Sequence, residues 1–329
     1  MSRYTSEHSK FAKIYNIFGI YLVAFLFCLI GFFVSPQFAT ASNFLDILYG
    51  ISILGIVATG MAFITYSGNM ADLSIPSIMA FAGIITVASL PLGLVPALIL
   101  GVFAGMMIGA LNGLVIGSLN ANPILWTLAV SFFMEGFMRF AWSNNQVYPD
   151  TAQGTAGAAF IQIFRTHLFG FIPSVVVVMI LMFFAGYFIM TKTRIGIETK
   201  LVGASRDVAK ISGINVRKVI LFDFIIAAFA ASVAGIYIAS MTKLGVFYLG
   251  KGYDFKAVTA VVIGGIMLSG GKGSMPGVFG GVLVIGLMSN IMTFLGVGLM
   301  TQNIVTGTIF ILVVGIHQFQ LRRQGKAAE

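Results

Sequence analysis

Apolar residues run through this chain in long blocks. Each block approaches the roughly 20 residues that an α-helix needs to cross the hydrocarbon core of a bilayer. Ten can be drawn, at 14–34, 45–66, 72–90, 94–118, 124–142, 171–191, 218–240, 256–269, 276–294 and 300–320. The eighth is too short to cross alone and reads as a broken or re-entrant helix. Pro76 falls inside the third and predicts a kink there, because proline removes a donor from the helix ladder. The pattern defines an all-α membrane protein of about ten transmembrane helices, one domain over 1–329. The first block follows Lys10 and Lys13 and exceeds the 7–15 or so apolar residues of a signal-peptide core, so it reads as a retained helix. Ala39-Thr40-Ala41 resembles a cleavage site and leaves processing as the alternative.

Composition agrees with a lipid-facing surface. The chain is 58% hydrophobic and 9% charged, against about 25% charged in soluble domains. In a soluble protein the net charge of +9 would point to nucleic acid. Here topology explains it, and no nucleic-acid partner is expected. With the N-terminus inside, the cytoplasmic segments collect Arg3, Lys10, Lys13, the basic residues from Lys192 to Lys218, Lys272, Arg322, Arg323 and Lys326. The opposite side keeps Arg139, Arg165, Lys243, Lys251 and Lys256. Lys/Arg enrichment on the cytoplasmic side then puts both termini in the cytoplasm and requires an even number of spans.

Two polar segments interrupt the blocks. Residues 143–170 form the longest outer stretch, and 192–217 form a basic cytoplasmic loop. An inverted internal repeat relates the two halves, one unit within 14–118 and the other within 218–320. Asp72 precedes Gly83 much as Asp254 precedes Gly264 and Gly265. Val102-Phe103-Ala104-Gly105 and Val278-Phe279-Gly280-Gly281 follow. The units run in opposite directions, an arrangement that in transporters places the pathway at the repeat interface.

The fourth block carries Gly101, Gly105, Gly109, Gly113 and Gly117. Glycine at every fourth position makes one helix face a groove that another backbone can enter, so these five are helix-packing residues. Ser269-Gly270-Gly271-Lys272-Gly273-Ser274 is not a phosphate loop. Ile266 stands where its first glycine belongs, and Gly273 where its Ser or Thr belongs. A tight turn is expected there, and no nucleotide-hydrolysing site. Cys28 is a lone thiol in an apolar run, and no Cys/His spacing suggests a metal. Ionisable residues within the blocks are Asp46, Asp72, Glu135, Arg139 and Asp223. Glu135 and Arg139, four residues apart, suit a structural ion pair. Asp72 can cap a helix start with Ser74 adding a local backbone bond. His8, His167 and His317 lie near or beyond block ends, so no proton relay crosses the membrane.

Gly252-Tyr253-Asp254, Val261-Val262-Ile263-Gly264-Gly265 and Leu268-Ser269-Gly270-Gly271-Lys272-Gly273-Ser274 resemble the permeases of ribose, arabinose, xylose and galactoside ABC importers. So do Gly203-Ala204-Ser205, Ser212-Gly213-Ile214-Asn215-Val216, Asn43-Phe44, Asp72-Leu73-Ser74 and Asn112-Gly113. The resemblance covers nearly the whole chain. It implies a permease that works with a second permease chain (identical or not), an ABC ATPase and a periplasmic substrate-binding protein. ATP, the only cofactor, would be bound by the ATPase, so this chain is not itself an enzyme. The resemblance also implies that Gly203, Ala204, Ser205, Arg206, Asp207, Ala209, Ser212 and Gly213 form the segment coupling to the ATPase. Asp72, Ser74, Phe81 and Asn112 are the candidates for the translocation path. The chain departs from the family at Met70-Ala71, Pro76, Asp254 and Lys256, positions that bear on substrate more than on fold.

The expected function is the bacterial inner-membrane permease of an ATP-driven monosaccharide importer. A sparse, uncharged pathway would suit a neutral polyol-like solute. Relatives of this fold also carry nucleosides, autoinducer-like sugars and branched-chain amino acids. A stand-alone secondary transporter would need an ion relay that the sequence lacks, and a scaffold or insertase-like membrane protein would not need an ATPase.

Overall fold

The computed structural model describes residues 2–168 and 172–326. Residues 169–171, which the sixth block and the outer stretch include, lie outside the described residues. The elements are α1 (Ser2–Val34), α2 (Ala41–Tyr66), α3 (Ile75–Ser89), α4 (Leu94–Leu119), α5 (Pro123–Ala141), α6 (Ala156–Arg165), α7 (Ser174–Lys192), α8 (Arg194–Ala204), α9 (Arg206–Ile211), α10 (Val216–Thr242), α11 (Tyr253–Ile263), α12 (Met275–Phe294) and α13 (Leu299–Lys326). A two-residue antiparallel pair, β1 (His167–Leu168) with β2 (Ile172–Pro173), precedes α7. Among the described residues, seven helices are long and apolar enough to cross a membrane: α2, α3 with its 3-10 extension to Leu92, α4, α5, α7, α10 and α12. Shorter apolar stretches lie at Phe18–Val34 in α1 and Leu299–Leu312 in α13.

The third span starts later than its apolar block. α3 begins at Ile75, and Pro76 lies in its first turn. That turn has no partners for its N–H groups, so proline costs nothing there, and the expected kink is replaced by a helix start. The eighth block is an 11-residue helix, α11, followed by a glycine-rich turn through Gly264, Gly265, Gly270, Gly271 and Gly273. At about 1.5 Å per residue α11 is some 16 Å long, half a membrane crossing. The outer stretch contains a helix that the pattern did not announce. α6 places Phe160 and Ile161 in the core, and its carbonyls at Phe160 accept the Ser240 hydroxyl of α10 at 2.7 Å. The basic 192–217 segment likewise contains two helices, α8 and α9. Thr193 caps the first through Gly196 N–H and Ser205 the second through Val208 N–H, each leaving one fewer orphan donor at a helix start.

α2 and α10 are buried along most of their length, while α4, α5 and α7 keep one apolar face outward. The five glycines of α4 meet α3 and α10. A methyl group on Gly101 would fall 2.8 Å from the Ala82 carbonyl of α3, and one on Gly113 would fall 2.7 Å from Leu221 Cα of α10. One on Gly109 would lie on Ala228 Cβ and 2.6 Å from the Phe224 carbonyl. The backbones therefore touch directly, as the spacing predicts. On the opposite flank, Asn43 of α2 and Asn290 of α12 exchange amide hydrogen bonds. Asn290 Nδ2 donates to Asn43 Oδ1 at 2.7 Å, and Asn43 Nδ2 donates to Asn290 Oδ1 at 3.3 Å.

Candidate functional site: a charged cavity and a glycine junction

A cavity of about 930 Å³ opens between α3, α5, α11, α13 and the segment after α10. Pro76 and Ser77 come from the first turn of α3, and Ser131, Glu135 and Arg139 from α5. α11 supplies Asp254, Phe255 and Lys256, while α13 supplies Asn303, Thr306, Gly307 and Phe310. The α13 positions recur at helical spacing, so one helix face presents them all. That spacing was visible in the sequence but lay inside a block read only for its hydropathy.

The cavity carries charged side chains on its walls. Arg139 donates to Glu135 Oε1 from Nη2 at 2.9 Å and from Nε at 3.2 Å. Both side chains are 45% exposed, so the predicted ion pair forms part of the cavity wall. Arg139 also donates to Asn144 Oδ1 at 3.0 Å and stacks 3.8 Å above the Phe247 ring. It thereby ties α5 to both outer segments. A backbone bridge between Val147 and Gly245 reinforces that seam. Asp254 is 9% exposed at the start of α11, and Lys256 lies 6.0 Å from the Tyr253 ring.

Three of the four candidate pathway residues gather beside this cavity as a fully buried knot. Asp72 Oδ1 accepts the Ser74 N–H at 2.7 Å and the Ser74 hydroxyl at 2.6 Å. Asn112 of α4 donates to Ser74 Oγ at 2.8 Å and accepts the Trp126 indole N–H of α5 at 3.1 Å. Thr127 accepts the Leu73 N–H at 3.0 Å. Asp72, Ser74 and Asn112 are 0% exposed, so here they fix the start of α3 against α4 and α5. Ser74 is the N-cap residue of α3 but makes no side-chain cap bond; its hydroxyl is spent on Asp72. Phe81 is partly buried and packs edge-on against Phe137 of α5, with ring centroids 6.2 Å apart.

The coupling candidates lie at the other end of the bundle, where three glycine turns meet. Gly203 of α8 is inserted between the end of α2 and the turn after α11. A methyl group there would collide with the Tyr66 carbonyl and approach Gly271 N to 2.6 Å. Gly271 N–H donates to that same Tyr66 carbonyl at 2.9 Å. Gly270 adopts φ +86°, and a methyl group on it would lie 2.7 Å from Gly68 Cα. Side chains pin the junction. Arg206 Nη2 donates to Asn69 Oδ1 at 2.6 Å, and Asn69 Nδ2 donates to Ser67 Oγ at 2.8 Å. The Thr199 hydroxyl donates to Asp223 Oδ1 of α10 at 2.9 Å. Ala209 is buried, Ser205 caps α9, and Gly213 takes φ +79° in the turn after it. Asp207 pairs with Lys210 at 3.8 Å on the exposed face, and Ser212 donates to the Val208 carbonyl at 2.9 Å. Asn69, Thr199 and Asp223 were not among the candidates. Their types are common in loops and caps, and only the fold shows that they connect α8 and α9 to the helices.

Among the described residues no three His, Cys, Asp or Glu side chains are placed to hold a metal. A bundle of apolar helices, a half-length helix, a polar cavity at one end and a clamped pair of short helices at the other define a multi-pass membrane permease. The chain belongs to the family of the branched-chain amino acid transport system / permease component, which matches residues 43–314. It is 32% identical over 298 residues to the ribose import permease protein of Bacillus subtilis (strain 168), covering 90% of this chain and 91% of that one. It is 31% identical over 308 residues to the L-arabinose transport system permease protein of Escherichia coli (strain K12), covering 93% of this chain and 91% of that one. A probable ABC transporter permease protein of the same Escherichia coli strain is 32% identical over 321 residues, 95% of this chain and 92% of that one. No solved structure matches the chain. It is a multi-pass protein of the inner membrane.

Proposed function

We propose that this chain is the membrane-spanning subunit of an ATP-driven importer and that it forms the path for a monosaccharide delivered by a periplasmic binding protein. The sugar assignment is supported by the ribose and L-arabinose permeases, which align over most of their own length. The seven long helices together with α1, α11 and α13 make the ten spans of the sequence pattern, with both termini cytoplasmic. Asp72 before α3 and Asp254 at the start of α11 mark the two members of the inverted repeat, and the cavity between these helices is the outer part of the path.

The observation that carries the coupling assignment is the glycine junction. It joins α8 by backbone contact, and α9 through the Arg206–Asn69 hydrogen bond, to the turns before α3 and after α11. A push on α8 and α9 therefore reaches both repeat elements without an intervening flexible link. The exposed apolar residues beside it, Val208 at 63% and Ile211 at 88%, suit docking into a groove of a separate ATPase that binds the ATP. The outward faces of α5 (Phe132, Phe133, Phe140) and α13 (Leu299, Met300, Ile304) flank the cavity and suit a second permease chain, which would close the path.

The test is the purified complex of this chain with its ATPase. Ile211→Asp lies on the surface and should leave insertion intact while abolishing co-purification with the ATPase. A complex of normal stoichiometry with normal substrate-stimulated ATP hydrolysis would refute the coupling assignment. A branched-chain amino acid is the second reading, favoured by the description of the matched family; uptake of ribose against leucine by the complete importer separates the two.

A further inference from the structure

The charges in the cavity do not cancel. Arg139, Lys251 and Lys256 face Glu135 and Asp254, which leaves one net positive charge. Both carboxylates are already engaged. Glu135 holds Arg139 through two hydrogen bonds. Asp254 is buried in the first turn of α11, where the free N–H groups and the positive end of the helix dipole face it. Lys251 and Lys256 form no ion pair among the described residues. The face of Tyr253 is the one contact of the Lys256 ammonium that the structure shows. Lys251 stands exposed and Lys256 partly buried, so a solute entering the cavity passes one ammonium and then meets the other. Phe255, Phe310 and Ile311 make up the apolar part of the wall, and an anionic group that reached the partly buried Lys256 would form a charge-assisted hydrogen bond, stronger than a neutral one.

Building on the importer reading, we propose that the cavity favours a monosaccharide bearing an anionic oxygen group, a carboxylate or a phosphate ester, and that Lys256 and Lys251 are the residues that select it. The hydroxyls of such a sugar find Ser77, Ser131, Asn303 and Thr306 on the walls, and the anionic group finds the two ammoniums. With both carboxylates engaged, the cavity has no free anion for a cationic solute. The same arrangement disfavours an amino acid, whose ammonium would have no partner.

The experiment uses vesicles holding the complete importer, permease with ATPase, supplied with its binding protein. ATP-dependent uptake is measured for D-ribose, D-ribonate and D-ribose 5-phosphate, with D-galactose and D-galacturonate as a hexose pair. Each anionic probe is expressed as a ratio to its neutral parent. The ratio is compared between wild type and the Lys256→Gln and Lys256→Arg variants with the same binding protein, whose own selectivity then cancels. The inference expects the ratio to fall about tenfold in Lys256→Gln, the loss of one charge-assisted contact, and to be kept in Lys256→Arg. Ribonate and galacturonate against ribose 5-phosphate tell carboxylate from phosphate. An unchanged ratio in Lys256→Gln, or an equal fall in Lys256→Arg, overturns the selection and leaves the importer reading standing. Absence of ATP-dependent uptake for all five sugars overturns the monosaccharide assignment, and this inference with it.

Discussion

Replacing Gly109 by alanine adds one methyl group at a point of the α4–α10 contact where α10 presents only a methyl group and backbone. That group would lie on Ala228 Cβ and 2.6 Å from the Phe224 carbonyl oxygen. Carbon atoms in good contact are about 3.5–4.0 Å apart, so α4 and α10 must separate by roughly an ångström. Neither obstacle can turn aside, because one is a methyl group and the other is backbone. Overpacking of this kind costs about 1–3 kcal/mol, and Gly109→Val should cost more. Gly117→Ala provides a graded comparison, since its nearest neighbours lie at 3.2 and 3.3 Å and ask for a shift of only a few tenths of an ångström. Gly105→Ala adds a second. Its methyl group meets the Ser232 hydroxyl, which can rotate away, so its cost should fall below that of Gly109→Ala. Gly136→Ala on α5 is the control, with nothing within 4 Å. The assay is the thermal midpoint of the detergent-purified protein, followed by size-exclusion fluorescence. The expected order of loss is Gly109→Ala, then Gly105→Ala, then Gly117→Ala, with Gly136→Ala at wild type or above. A Gly109→Ala midpoint equal to wild type, or a Gly136→Ala loss as large, would refute the reading of the stripe as a backbone contact surface.

The other expectations follow from single contacts. Asn112→Ala leaves the half-buried Trp126 indole N–H without its acceptor and opens a gap beside the buried Asp72–Ser74 pair; it should cost about 1–3 kcal/mol, read in the same melting assay. Glu135→Gln should change stability by under about 1 kcal/mol, because its ion pair is half exposed, yet should lower uptake by freeing Arg139 from its place over Phe247, checked in vesicles. Arg206→Ala cuts the link to Asn69 and should leave the protein folded while lowering substrate-stimulated ATP hydrolysis more than basal hydrolysis; equal loss of both would count against a role in transmission. Thr199→Val removes the donor to a fully buried Asp223 carboxylate and should destabilise the packing of α8 on α10, seen as faster proteolysis between Lys192 and Lys218.

Much of the bundle was legible because its solvent is lipid. Hydropathy placed the boundaries of α2, α4, α5, α10 and α12 within a few residues, since the interior of a bilayer tolerates little else. The glycine stripe of α4 was legible for a related reason: close backbone approach leaves a spacing that side chains cannot fake. The start of α3 was misplaced because Asp72, Leu73 and Ser74 continue an apolar block, and hydropathy does not see that their backbone turns. α6 and α8 were read as loops because their cap residues, Thr155 and Thr193, sit among polar neighbours, where a cap and a turn look alike. The cavity was the least legible part. Its wall combines α3, α5, α11 and α13 with an irregular segment; Lys251 had been counted only as a charge on the outer side, while Asp254 and Lys256 stood out only as departures from the family pattern. Asp72, Ser74 and Asn112 do come together in the structure, but their burial depends on Trp126 and Thr127 closing over them from α5.

α11 connects the two ends of the site. Its first turn holds Asp254 and Lys256 in the cavity wall, and the turn that follows its last residue hydrogen-bonds Gly271 to Tyr66 beside Gly203. An 11-residue helix is stiff over this length, and close backbone contacts seat it along α12: Gly281 of α12 against its Ala260 carbonyl, and Gly277 of α12 against the Gly264 carbonyl that follows it. It can shift as a unit far more easily than it can bend. In the proposed importer, a displacement of α8 and α9 by the ATPase would therefore move Lys256 relative to α5 and α13 and change the width of the cavity. This explains the glycines at Gly203, Gly270 and Gly271 in mechanical terms. A side chain at any of them would add a compressible cushion, whereas direct backbone contact passes a small movement on undiminished. In the proposed importer the half-length of α11 would serve the same transmission: a full span would anchor the helix in both interfaces and remove its freedom to shift.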